Sequence, residues 1–456
     1  MNSDTRQSKG LILMRLMMFT VMMSSMSALM FNVVLPQISK EFHLTLAQVS
    51  WLSSAYTLIY ALGTVTYGKL ADRFQLKSLL IFGLALFAVG SLVGLVSQTF
   101  WMALLGRCLQ SAGAAAIPAI ALIIPVRYFS PEKRGSALSM TAVGIALGSA
   151  LAPVISALVV SFVNWRWLFL PSLLIVLLLP LYRKYLEHEV KEAPRKFDWL
   201  GGILLAASIT LLLLGVTNLT WWYLVVGLAA LILFILRICQ TKEAFIQPQL
   251  FQNKRYVIGL ALASLISGIG ISLYLLTPIL FSEVYRLGSN WIGFAMVPAA
   301  VASAILGRKG GKLADLKGNS YLIFVASGSL ITCFALLSIF TGISPLWISI
   351  FLIFGNVGQS FLQIAMSNSI SRSLPKDQVG VGMGLFSMIN FISQGMAAGV
   401  YAIIAAHGSS VNWNPIHVDP NSALFSNMYL VLAAMHVGIL LFYRLQFRTR
   451  NSSVSI

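Results

Sequence analysis

Gly68-Lys69-Leu70-Ala71-Asp72 and Gly311-Lys312-Leu313-Ala314-Asp315 are the same five residues, 243 positions apart in a chain of 456. Each copy sits in a short basic break between two long apolar runs. A repeat at that spacing divides the chain into two related halves. Its place between hydrophobic runs makes each half a bundle of membrane-spanning helices, the pattern of a duplicated transporter.

Composition supports that reading. The chain is 58% hydrophobic and 10% charged, against about 25% charged in an ordinary soluble domain. One soluble core cannot hide that much apolar surface, so the bilayer acts as solvent. The net charge of +18 would suit a nucleic-acid partner if it formed one face or tail. It is spread instead over alternate short loops, which is topology information. Cys108, Cys239 and Cys333 lie in or beside apolar segments with no metal or disulfide spacing, and the five histidines are scattered. No metal, cofactor or nucleic acid is expected. The chain shows no Gly-Lys-Ser/Thr phosphate loop and no nucleophile–base arrangement, which argues against an enzyme.

Apolar runs of about 20 residues fall at 12–35, 49–67, 78–97, 101–126, 136–160, 167–182, 199–218, 221–238, 257–281, 290–306, 321–341, 345–370, 379–405 and 427–443. Fourteen spans put both termini on one side. Loops on that side carry Arg6 and Lys9; Lys69, Arg73 and Lys77; Arg127, Lys133 and Arg134; Arg183, Lys184, Lys191, Arg195 and Lys196; Arg237, Lys242, Lys254 and Arg255; Arg308, Lys309, Lys312 and Lys317; and Arg372, Lys376, Arg444, Arg448 and Arg450. The opposite loops carry Lys40, Arg166 and Arg286. The asymmetry places both termini in the cytoplasm. The repeats follow the second and tenth spans, so the expected fold is all-α. It comprises a six-helix bundle in 1–182, linkers with two extra helices in 183–256, and a second six-helix bundle in 257–456.

Several polar residues stand out inside these spans. Arg107 is a cation well within the fourth, and Gln110 shares its helix face. An intramembrane charge marks a functional site by default, so Arg107 either faces a polar cavity or holds helices together by hydrogen bonds. Asn356, Gln359 and Gln363 form one stripe in the twelfth span, and Asn390 and Gln394 another in the thirteenth. Amides cannot face lipid unpaired; they either line the cavity or join helices. The small residues at 111–116 suit close helix packing, and Pro118, Pro125 and Pro153 can kink helices. In the first repeat, Gly68 permits close approach and Arg73 and Lys77 keep the loop cytoplasmic. Asp72 is placed to cap the next helix. One such copy alone would read as a polar turn.

These segments resemble a known family. Residues 68–77 resemble motif A of the major facilitator superfamily. Residues 104–119, with Arg107 and Gln110 ahead of a small-residue run, look like motif B of its drug exporters. Gly144, Gly148 and Ala152-Pro153 resemble the antiporter motif C, with Ala152 in place of a glycine. Asn32-Val-Val-Leu-Pro36 and Trp165-Arg-Trp167 fit the fourteen-span branch (DHA2 type), and the likeness covers about residues 10–445. Motif B is most similar to that of the class K and L tetracycline-efflux proteins of Gram-positive bacteria. The resemblance implies the major facilitator fold and a monomer in the bacterial cytoplasmic membrane. It also implies export of drug-like or amphipathic molecules, such as tetracyclines, by alternating access and proton antiport. It assigns a gate to Gly68, Asp72, Arg73, Lys77 and Asp315. A substrate or coupling cavity would hold Asn32, Arg107, Gln110, Ser149, Gln359, Gln363, Asn390 and Gln394, and the motif C positions are Gly144, Gly148 and Pro153.

One departure matters. None of the thirteen acids falls mid-span; Glu283, at the outer end of the ninth, is nearest. The places where class K and L exporters carry acids hold Ser27-Ala28, Ser149 and Gln394. The alternative is therefore an uncoupled or differently coupled transporter of a metabolite or anionic solute, or a transporter-like sensor that no longer pumps.

Overall fold

The computed structural model describes residues 3–186, 198–217, 220–241, 244–375, 378–407, 411–417 and 419–448. Lys191, Arg195, Lys196, Lys242, Lys376 and Arg450 lie outside them, as do Glu187, Glu189, Glu192, Glu243 and Asp377. The described residues are helical, without strand. We label the long helices α1 (Ser3–Glu41), α2 (Trp51–Ala71), α3 (Leu76–Leu95), α4 (Phe100–Tyr128), α5 (Arg134–Phe162), α6 (Trp165–Tyr185) and α7 (Trp199–Thr217). They continue as α8 (Trp221–Gln240), α9 (Lys254–Glu283), α10 (Ser289–Lys317), α11 (Asn319–Phe340), α12 (Pro345–Ser373), α13 (Val379–His407) and α14 (Ala423–Arg448). We call the side bearing the basic loops inner, cytoplasmic by the positive-inside rule.

Thirteen helices among the described residues are long and apolar enough to cross a membrane. The expected fourteenth is α2. It has 21 residues, but Ser53, Ser54, Thr57, Thr64 and Thr66 lower its hydropathy. It counts as a span by its place, packed between α4 and α13. A helix with that many hydroxyls belongs inside a bundle, where neighbours and water satisfy them.

Local chemistry sets the helix ends and breaks. Thr99 and Asn253 cap α4 and α9 through their side chains, and Ser344 with Pro345 opens α12. Gly318, at φ +86°, passes the chain from α10 straight into α11 in a conformation that only glycine adopts freely. α4 is interrupted at Ala115 because Pro118 has no N–H to donate to the Ala114 carbonyl. α9 is interrupted at Ile271, after Gly268-Ile269-Gly270, where the Gln359 amide packs against Gly270.

Helices α1–α6 pack with one another, as do α9–α14, while α7 and α8 form a hairpin lying against α13 and α2. The two sets meet along α2–α13 and α5–α10. Within the first set α5 packs closely on α1: a Cβ at Gly144 or Gly148 would sit 2.4 Å from the Met18 or Met22 carbonyl oxygen. The motif C glycines therefore act as packing residues. Pro153 is in the same helix; its side chain lies outside the described part.

On the outer side, beyond the apolar stretch Gln7–Asn32 of α1, Glu41 accepts hydrogen bonds from Trp165 Nε1 and Arg166 Nη1, both at 2.6 Å. Partial burial works against the carboxylate, but these bonds and the Arg166 charge outweigh it and hold its pKa below the usual value. The resulting stability is present above the ordinary carboxylate value and is lost as pH falls through the lowered one. Acidification below pH 4.5, the ordinary glutamate value, should therefore lower the unfolding temperature of the native protein more than that of Glu41→Gln. Parallel curves would contradict this.

Candidate transport pathway and its cytoplasmic gate

Both repeats end at the seam between the two helix sets, and both do the same thing there. The Asp72 carboxylate, at the inner end of α2, accepts from the backbone N–H groups of Gly380 and Val381 at 2.8 Å each. These are the second and third residues of α13. The Asp315 carboxylate, in the last turn of α10, accepts from Gly135 and Ser136 N–H at 2.8 Å each, the second and third residues of α5. The Ser136 hydroxyl donates to Asp315 as well. Each aspartate thus fills the orphan donors at the positive end of a helix from the opposite half. Asp72 was expected to cap the next helix in sequence. Instead it caps one 308 residues further on, and the first residues of α3 receive no side-chain cap.

The repeat's first residue explains the reach. A Cβ at Gly68 would sit 2.5 Å from the Gly380 carbonyl oxygen, and one at Gly311 2.6 Å from that of Gly135. Only glycine lets the helices cross closely enough for a short aspartate side chain to bridge them. The inner closure extends towards mid-membrane through a Tyr60–Phe391 edge contact at 4.7 Å between ring centroids and through Val143, Ala146 and Ala304.

The copies differ at lysine. Lys312 is exposed, whereas Lys69 is buried and donates to the Ala244 carbonyl at 3.0 Å. Ala244, Phe245, Ile246 and Leu250, in the linker after α8, are all buried. Asp198 anchors that linker: it accepts from Phe245 N–H at 3.2 Å and Gly201 N–H at 3.0 Å and pairs with Arg237 at 3.2 Å. Gln378 adds a bond to Gln247 at 3.2 Å. The inserted pair α7–α8 is thereby tied to the first latch. Sequence reading missed this group; the signal was the apolar Ala244-Phe245-Ile246 inside a charged linker. Arg127 donates to the Ala71 carbonyl at 3.0 Å, closing the inner end of α2. Arg73 and Lys77 are half-buried beside it.

Arg107 does not line an open cavity in this conformation. It is fully enclosed, its guanidinium 4.3 Å from the Phe31 ring centroid and 4.0 Å from that of Tyr56. It donates to Gln110 Oε1 at 2.7 Å, to the Ser27 carbonyl at 3.2 Å and to the Leu52 carbonyl at 3.4 Å. Gln110 Nε2 passes the chain to Ser91 Oγ at 2.9 Å. One arginine so joins α1, α2, α3 and α4.

The amide stripes divide. Asn390 accepts from Ser267 Oγ at 2.7 Å, beside a Ser264–Ser393 bond of 2.6 Å and a Tyr401 hydroxyl bond to the Gly268 carbonyl at 2.8 Å. These join α9 to α13. Asn356 is buried on its own helix, at 3.0 Å from the Leu352 carbonyl. Asn390 therefore joins helices, whereas the Asn356 side chain turns back on α12 and only its backbone carbonyl accepts from Ser303 Oγ of α10, at 3.3 Å. Ser149, Gln363 and Gln394 remain half-exposed with no partner among the described residues, and Gln359, also half-exposed, wedges the α9 break. At the outer mouth Asn32 is exposed and accepts from Ser53 Oγ at 2.6 Å, with Ser54 and Thr57 exposed nearby. These polar groups lie at the outer ends of α1 and α2.

Replacing either aspartate by asparagine removes the charge at a helix N-terminus and weakens two charge-assisted bonds, at a cost of about 1–2 kcal/mol. Inner closure should then loosen about tenfold. Cysteine placed at Ala304 should be alkylated from the inner side about tenfold faster in Asp72→Asn or Asp315→Asn. Unchanged rates would dismiss the latch.

The comparisons with known proteins agree with this geometry. The family described as the Major Facilitator Superfamily matches residues 17–398. The riboflavin transporter RibZ of Clostridioides difficile is 24% identical over 401 residues, 86% of this chain and 87% of that protein. Multidrug resistance protein 3 of Bacillus subtilis is 27% identical over 331 residues, 68% of this chain and 63% of that protein. The human organic anion transporter MFSD10 superposes with a TM-score of 0.64 at 16% identity, covering 96% of this chain and 98% of that one. The proton:xylose symporter XylE gives 0.65 at 11% identity, with 96% and 97% covered; both likenesses concern the fold alone. A helical membrane protein with paired inner latches and a match to the family over most of its length, the chain belongs to the Major Facilitator Superfamily.

Proposed function

We propose that this transporter exports drug-like, amphipathic small molecules from the bacterial cytoplasm by alternating access, working as a monomer. The moving bodies are residues 1–182 and 257–456, with 183–256 carrying the inserted helix pair. Gly68, Asp72, Arg73, Lys77 and Asp315 form the inner gate. The observation that carries the reading is that Ser149, Gln359, Gln363 and Gln394 are half-exposed polar residues within the spans; we take them as the pathway lining, which then offers amides and a hydroxyl and no carboxylate. Such a lining suits neutral or cationic aromatic compounds held by apolar contact and a few hydrogen bonds. The similarity of motifs A, B and C to those of drug exporters, and the relative named for multidrug resistance, support it. Proton antiport is the proposed energy source. Because mid-span acids are missing, Asp72 at the gate and Glu283 at the outer end of α9 are the proposed proton carriers.

A second reading, transport of a planar metabolite, is favoured by the riboflavin-transporting relative, which matches more of the chain. Expression in a strain lacking its own pumps separates the two. Reduced accumulation of ethidium or tetracycline, abolished by a protonophore, is expected for drug efflux. Movement of riboflavin with no change across the drug panel would replace that reading with the second.

A further inference from the structure

Four enclosed polar atoms of the first bundle make no hydrogen bond among the described residues: Arg107 Nη2, Ser27 Oγ, Ser24 Oγ and Tyr56 Oη. They belong to one place. Arg107 Nη1 donates to the Ser27 carbonyl at 3.2 Å, and the guanidinium lies 4.0 Å from the Tyr56 ring centroid. Ser24 is one turn before Ser27 on the same face of α1, and its hydroxyl neighbours those of Tyr56 and Tyr60, so Arg107 Nη2 and Ser27 Oγ are the donors left with no neighbour of that kind. None of the four residues is more than 2% exposed.

All four atoms can donate, and one belongs to a group that keeps its positive charge in proteins. No carboxylate balances it: its partners are the Gln110 side chain, the Ser27 and Leu52 carbonyls and the rings of Phe31 and Tyr56. The ring faces of Phe31 and Tyr56 offset part of the charge. A buried cation without a counter-ion is strongly destabilising, and buried donors without acceptors are rare enough to require an unseen water or ion. A water would satisfy the donors and leave the charge unbalanced. An anion does both.

We propose that the space bounded by Arg107, Ser24, Ser27 and Tyr56 binds one small monovalent anion of the halide class as the counter-charge of Arg107. The ion stabilises the junction of α1, α2 and α4. Because all four residues are buried, the site is a structural ion site separate from the transport pathway.

Purified full-length protein titrated with chloride against gluconate at constant ionic strength tests this. The unfolding temperature should rise saturably by about 2–5 °C, with bromide acting like chloride and sulfate inert. Arg107→Gln should abolish the chloride dependence. Ser27→Asp, which sets a carboxylate beside the guanidinium, should be equally stable with and without chloride. Identical curves in chloride and gluconate for the native protein would overturn the proposal in favour of water. So would a chloride effect that persists undiminished in Arg107→Gln. Should neither variant fold, bromide-soaked crystals decide: an anomalous peak against Arg107 Nη2 supports the site, and its absence overturns it.

Discussion

Each half of this transporter presents the positive end of a helix to an aspartate of the other half. Asp72 holds the start of α13 and Asp315 the start of α5, with two backbone N–H groups on each carboxylate at 2.8 Å. A helix N-terminus carries roughly half a unit of positive charge, and a carboxylate there is favourable without a cationic side chain. The interaction is also breakable, because water can replace it at the inner surface when the halves part. A gate needs that combination: strong enough to seal one face, and not so strong that it cannot open. The rest of the closure follows from it. Gly68 and Gly311 permit the crossing, and Tyr60–Phe391 and Ala146–Ala304 fill the seam.

Inside each half the interactions are of another kind. Arg107 is bonded to backbone or side chains of α1, α2 and α4 and linked to α3 through Gln110 and Ser91. Gly144 and Gly148 bring α1 and α5 into contact. Serine, asparagine and tyrosine join α9 to α13. In lipid no hydrophobic drive holds helices together, so close packing and hydrogen bonds do so. Each half is thereby tied within itself, and the halves meet along α2–α13 and α5–α10, where the two aspartate latches are the bonds that water can replace. The linker held by Lys69 and Asp198 adds the α7–α8 pair to the first latch, making the two sides of the gate unequal although their aspartates are equivalent.

The five-residue repeat was legible as a mark of duplication because identical residues at equivalent places have no other economical cause. The partner of Asp72 was not, since local rules favour the next helix and nothing in one sequence encodes a contact across 308 residues. Arg107 was legible as unusual because its charge is costly in a span. Its enclosure was not, because Phe31 and Tyr56 look like any aromatic residue of a membrane helix. Asn390 and Gln394 share one stripe yet do different work. A period of four places both on one face but cannot tell a neighbouring helix from water. Reading α2 as a span was right in place, though its hydroxyls keep it below the hydropathy of the other thirteen.

The most direct measurement is the distance between spin labels at Lys133, in the first half, and Lys317, in the second, by pulsed electron resonance. In the native protein without substrate the distribution should be dominated by one short distance at the inner face. In Asp72→Asn/Asp315→Asn it should move to a long distance, with the separation of outer-side labels shortening in step. Identical distributions in the two proteins would contradict the account, because the inner face would then be closed by something other than the two aspartates.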